Sequence, residues 1–98
     1  MPSIFIDFMG NYPVNRVLDY LLTEREIDFS IIDISKNVNV RKIKLRKIWN
    51  DLIKNKIIVF NRKLGKNKLY KLNIKDQKVK KLIELDDIFI LESFTHYN

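Results

Sequence analysis

Between Lys36 and Lys71 the chain carries 13 basic residues and one acid, Asp51, a local charge of +12. The remaining positions hold 6 basic and 11 acidic residues, so the formal total is +7. Cations gathered this densely repel one another, and a polyanion relieves the cost; nucleic acid is the first candidate and an anionic membrane surface the second. Inside the block, Ile43, Lys47, Asn50 and Lys54 recur at helical spacing, opposite a stripe of Leu45, Ile48, Trp49 and Leu52. Such an outer face suits the DNA major groove. Arg46 and Lys47 carry donors for guanine O6 and N7, Asn50 can pair with adenine, and Ile43 can pack on a thymine methyl. Arg41, Lys42 and Lys44 surround that face, and phosphate contact is the expected role of lysines there. Ile43 has an alternative: a helix rotated so that this apolar side chain is buried. Lys54 lies too far along to reach the duplex.

Other chemistries lack their residues. With no Cys and one His, His96, the chain offers no disulfide framework, thiol nucleophile or zinc cluster. Two glycines leave no phosphate-cradling loop. Glu84, Asp86 and Asp87 are expected to solvate the outer side of a C-terminal helix rather than to work as acids and bases. The expectation is a protein that is not an enzyme, with no cofactor, no metal and no small-molecule ligand that can be inferred. The longest aliphatic-aromatic runs, such as Ile88-Phe89-Ile90-Leu91, reach four residues, too short for a membrane span. The opening Met1-Pro2-Ser3-Ile4-Phe5-Ile6-Asp7 has neither a basic start nor an unbroken apolar stretch, which argues against a secretory signal. A cytoplasmic protein is expected. Fifteen Ile, 14 Lys, 10 Asn and no Ala fit an AT-rich genome, an archaeal one among them.

The elements that must carry the basic face follow from periodicity. Ninety-eight residues, 46% hydrophobic and 32% charged, make one globular domain spanning 1–98. Ile4, Phe5, Phe8 and Met9 predict a first helix ending at Gly10-Asn11. Pro13 opens a second, with Val14, Val17, Leu18, Leu21 and Leu22 on one face, ending near Arg25. Ser30 with Asp33 is a capping box in a weaker form, starting a short helix to about Asn37 that buries Ile31 and Ile34. Asn39 in Val38-Asn39-Val40 predicts a sharp turn through a left-handed residue. A helix from Arg41 to about Asn55 follows. Residues 57–61 and 69–73 read as strands around a loop that contains Gly65, a β-hairpin. Asp76 caps a last helix reaching to about Glu92.

Two helices joined by a tight turn, the second strongly basic, then a basic hairpin describe a winged helix-turn-helix. The class is mainly α with a small β-hairpin (α+β). Gly10-Asn11-Tyr12-Pro13 with Arg16-Val17-Leu18-Asp19-Tyr20-Leu21-Leu22 resembles the first core helix of archaeal winged-helix transcriptional regulators of the ArsR/MarR-like type. Phe29-Ser30-Ile31, Asp33-Ile34, Val40, Leu45, Ile48, Leu52-Ile53 and Ile57-Ile58 are similar to their helix-turn-helix. Lys68-Leu69-Tyr70-Lys71-Leu72-Asn73 and Val79-Lys80-Lys81-Leu82-Ile83 are similar to their second wing strand and trailing helix. The chain departs from that pattern at Asn39, often Gly, and at Arg41, usually Ser or Thr, so a side-chain cap worth about 1 kcal/mol is missing.

The resemblance implies a winged-helix core over 10–73. Arg62, Lys63, Lys66 and Lys68 are then expected on a wing lying along a minor groove or backbone; the alternative is a charged hairpin that merely deters edge aggregation. Residues 79–94 are apolar at nine of sixteen positions, more than one buried stripe needs. A dimerisation helix over 76–94 would use Val79, Leu82, Ile83, Leu85, Ile88, Phe89 and Phe94, joined by Phe5 and Phe8; the alternative is a helix folded back on its own domain. A homodimer sets two recognition helices about 34 Å apart, one turn of duplex. The expected function is sequence-specific binding of double-stranded DNA, with transcription regulation as its purpose. The competing readings are a DNA-coating architectural or partition protein, and a winged-helix module that meets protein or RNA.

Overall fold

The computed structural model describes residues 4–95. Its elements run α1 (Ile4–Met9), α2 (Pro13–Thr23), α3 (Ile31–Asn37), α4 (Lys42–Lys54), β1 (Ile58–Leu64), β2 (Asn67–Leu72) and α5 (Gln77–Thr95). His96 lies outside the described residues. This is a winged-helix architecture: a helical core, a two-stranded antiparallel wing and a C-terminal helix.

α2 and α4 bury most of the stripe that their spacing dictates, whereas α1 buries Phe5 and leaves Ile4, Phe8 and Met9 exposed. Leu45, Ile48, Trp49 and Leu52 of α4 meet Val17, Leu21 and Leu22 of α2 and Ile34 of α3 in one core. Val14, expected in that stripe, is exposed instead. It stands at the start of α2, where Tyr12, Ile48, Leu52 and Ile57 form the walls of an open cleft that no element covers. Ile31 is only half-buried.

The helix-turn-helix is held by local polar chemistry. The capping box at α3 is complete: Ser30 Oγ accepts from the Asp33 N–H at 3.2 Å, and Asp33 Oδ2 accepts from the Ser30 N–H at 2.8 Å. The turn after α3 does not use a left-handed Asn39. Among the described residues, the only positive φ values are those of Lys56, Gly10 and Gly65. The chain reverses instead by a three-residue turn, in which the Val40 N–H donates to the Val38 carbonyl at 3.0 Å.

Lys56 is where the left-handed residue falls, at φ 60, just past α4. The Ile57 N–H donates to the Leu52 carbonyl (2.9 Å) and the Lys56 N–H to that of Ile53 (3.1 Å), the paired bonds of a Schellman cap. Glycine normally takes this position. Asn73 stabilises the lysine there: its Nδ2 donates to the Lys56 carbonyl (3.0 Å) and its N–H to that of Ile57 (2.9 Å).

The hairpin is longer than alternation alone predicts, because a two-residue turn at Gly65-Lys66 joins strands paired out to Leu64 and Asn67. The register shifts between Phe60 and Arg62, a bulge that twists the outer half of the wing. A third strand is reduced to one bridge: Phe29 and Tyr70 exchange both backbone hydrogen bonds at 2.8 Å. Trp49 sits against both residues of this bridge, edge-on to Phe29 (5.7 Å, 77°) and to Tyr70 (5.4 Å, 81°). One indole therefore couples α4 to the wing. These edge-to-face pairs add about 0.5–1.5 kcal/mol each beyond the area they bury.

α5 folds back on its own domain for most of its length. Asp76 Oδ1 caps it, accepting from the Lys78 N–H (2.9 Å) and the Val79 N–H (3.3 Å). Val79 and Phe89, expected at a subunit interface, are buried in the chain's own core, and so is Phe5, whose ring stands edge-on to Phe89 at 6.4 Å. Leu82, Ile83 and Leu85 are half-buried against the same core. Asp86, expected on the outer side, is buried. Its Oδ2 meets Arg25 Nη2 at 3.0 Å, while Asp87 Oδ1 meets Arg25 Nη1 at 3.2 Å. Burial pushes the Asp86 carboxyl above its ordinary pKa, against the pull of Arg25.

Trp49→Ala removes the shared support of helix and wing. Equilibrium denaturation is expected to show a loss of about 3–5 kcal/mol, and amide exchange of β1 and β2 should accelerate more than that of α2.

Candidate nucleic-acid interface

The outer face of α4 is open to solvent along its whole length. Ile43 is 88% exposed, which excludes the rotation that would bury it. Arg41, Lys42, Lys44, Arg46, Lys47 and Asn50 are all exposed as well. Lys42, Ile43, Arg46, Lys47, Asn50 and Asp51 border one shallow concave surface, so the predicted reading residues are brought together. Asp51, the single acid of the basic block, shares that surface.

The start of α4 is electrostatically unfavourable for the free protein. Arg41 occupies the N-cap without a side-chain hydrogen bond, and the first turn contains no acid. Lys42 and Lys44 therefore stand at the positive end of the helix dipole, where each cation costs about 0.3–1 kcal/mol and an anion would be stabilised.

Two residues that sequence reasoning missed position this face. Arg16, on α2, donates from Nη2 to the Asn39 carbonyl at 2.9 Å and from Nη1 to Asn11 Oδ1 at 3.0 Å. It pins the turn before α4 to the loop before α2. Its Nε is buried without a partner. An arginine three residues after Pro13 gave no cue that its target, Asn39, lies 23 residues on.

Asp28 is the second. Its Oδ2 accepts from Arg62 Nε at 2.7 Å and from Asn61 Nδ2 at 2.8 Å. The hydrogen bond from Arg62 is the larger cause, and that from Asn61 the next, holding the Asp28 carboxyl below the usual carboxylate range. Arg62, expected as a free cation on the wing, is thus committed to anchoring the bulged strand. Lys63, Lys66 and Lys68 remain exposed further out. Gly65, between them, sits at φ 62 as the first residue of the turn, where a hairpin of the II′ type requires glycine.

Among the described residues, no helix is long and apolar enough to cross a membrane. No protein-family model and no curated protein matches the sequence. Among solved structures, the chain is similar to a variant of MepR from a multidrug-resistant S. aureus clinical isolate. The TM-score is 0.66 at 17% identity, over 96% of this chain and 67% of that one. This likeness supports the winged-helix fold derived above.

Two predictions follow from the electrostatics of these elements. Arg41→Ser supplies the missing cap and removes a cation from the helix start, so thermal or urea unfolding should show a gain of about 0.5–1 kcal/mol. The depressed carboxyl of Asp28 stabilises the fold fully above the ordinary Asp range, and that contribution is lost as pH falls through the depressed value. In an acid titration of stability, Asp28→Asn should therefore flatten the decline below about pH 4 and lower stability at neutral pH.

Proposed function

We propose that this protein is a winged-helix transcriptional regulator that binds double-stranded DNA sequence-specifically as a homodimer. The observation that carries the reading is the fully exposed α4 face, where Ile43 and Asn50 stand among Lys42, Arg46 and Lys47. Cations alone would serve phosphate binding, whereas an isoleucine exposed at the middle of a cationic face favours contact with base edges over pure coating. α4 enters the major groove and Lys63, Lys66 and Lys68 of the wing follow the adjacent backbone, with Arg62 fixing the base of the wing. The fold likeness to MepR and the resemblance to ArsR/MarR-like regulators support the same class. A cytoplasmic location is part of the same proposal.

The homodimer rests on what α5 and α1 leave uncovered. Phe8 (72%), Phe94 (70%) and Leu91 (65%) are exposed together with Ile88 and Ile90. Phe8 packs on Phe89 with ring centroids 4.9 Å apart and planes tilted by 44°, which brings the exposed ring of α1 against α5. A second copy covers these exposed side chains; Phe5, Val79 and Phe89 support the interface from beneath.

The test is titration of the whole protein against its own upstream DNA, random duplex and structured RNA at several salt concentrations, with sedimentation equilibrium alongside. Duplex should be preferred, with affinity falling steeply with salt. Lys47→Ala should reduce the salt slope by about one, and Leu91→Asp should yield a monomer. Equal affinity for every duplex would favour the coating reading instead, and preference for RNA would remove the DNA reading.

A further inference from the structure

The arrangement of side chains around α4 constrains which base pairs the face can read. With 3.6 residues per turn, Asn50 lies about 20° from Ile43, so the two share one line along the helix. Measured at Ile43, that line is about 170° from the centre of the buried Leu45, Ile48, Trp49 and Leu52 stripe. Lys47 stands about 40° to one side of it and Arg46 about 60° to the other. The surroundings agree with this division. Arg46 and Lys42 border Ile31, Ile32 and Ser35 on the α3 side, whereas Lys47 and Lys44 border Tyr12 and Val14 on the other.

A helix laid in a groove turns its centre line to the floor and its flanks to the two phosphate walls. Here the centre line offers one apolar group and one carboxamide, and the flanks offer the cations. Arginine and lysine are the usual readers of guanine, asparagine reads adenine, and an aliphatic side chain packs on the thymine methyl. Ile43 and Asn50 are seven residues apart, about 10.5 Å along the axis, which spans about three base steps of 3.4 Å.

We infer that α4 selects duplex with an A·T pair at each end of a four-base-pair window, one read through its thymine methyl by Ile43 and the other through its adenine by Asn50. Arg46 and Lys47 meet the opposing phosphate walls and contribute affinity rather than sequence. The inference rests on α4 being the groove helix.

Selection of duplexes from a random library by the whole protein tests it, followed by binding to the selected sequence with single atoms altered. A·T pairs should be enriched at both ends of the window. Replacing the thymine by uracil, which deletes only the methyl, should cost about fourfold in the wild type and nothing in Ile43→Ala. Replacing the adenine by 7-deazaadenine should cost about fivefold in the wild type and nothing in Asn50→Ala. Enrichment of G·C at either end, or a wild-type protein indifferent to both base changes, overturns the inference. Retention of duplex without any enriched sequence overturns it too, yet leaves DNA binding standing; failure to retain any duplex removes both. The altered bases are read with the wild-type chain, so the outcome does not depend on how the variants fold.

Discussion

The contact of Trp49 with the Phe29–Tyr70 bridge is the constraint on which the rest of this fold depends. The indole belongs to α4, yet its two edge-on partners belong to the segment before α3 and to the wing. Fixing that ring fixes the rotation of α4 about its own axis, and hence which residues face outward. The same contact fixes the base of β2, since the bridge is paired by two 2.8 Å hydrogen bonds. Helix rotation and wing position are thus one variable, not two. Arg16 and Asp28 act at the edges of this framework, tying the turn before α4 and the bulge in β1 to neighbouring loops.

Against that rigid interior, the outer surface of α4 sacrifices stability. It has no side-chain cap, no acid in its first turn, and cations at the wrong end of the dipole. Its far end is closed by a lysine in the left-handed region where glycine is cheaper. None of these choices improves the free protein. They are tolerated because the buried stripe of Leu45, Ile48, Trp49 and Leu52 outweighs them.

Much of this was legible in the sequence, for reasons that can be named. Periodicity found every helix because apolar residues recur at helical spacing in each, although α1 buries only Phe5 of its set, and the Ser30–Asp33 capping box marked the start of α3 in the letters themselves. The outward set around Ile43 and Asn50 followed from the same arithmetic. What the sequence concealed was long-range or conformational. The pairing of Arg62 with Asp28 joins residues 34 apart, and nothing local distinguishes Arg62 from the wing lysines. The turn after α3 was assigned to Asn39 by residue type, whereas the geometry needed only a reversal through ordinary φ. Counting apolar residues in α5 found a surplus and located part of it, since Ile88 and Phe94 were among the residues expected at an interface and are exposed. Val79 and Phe89 serve the domain's own core, and the excess lies on Ile88, Leu91 and Phe94.

Gly65 at the wing tip illustrates a different kind of freedom. A Cβ built there meets no atom within 4 Å, so crowding does not require glycine; the sign of φ does. A mirror-image residue would fit the backbone and the space alike. The tip is therefore limited by handedness alone, while the strands behind it are locked to Trp49. Length and chemistry at the extremity can diverge between homologues, or be replaced by a grafted loop or a label, with the scaffold beneath left undisturbed.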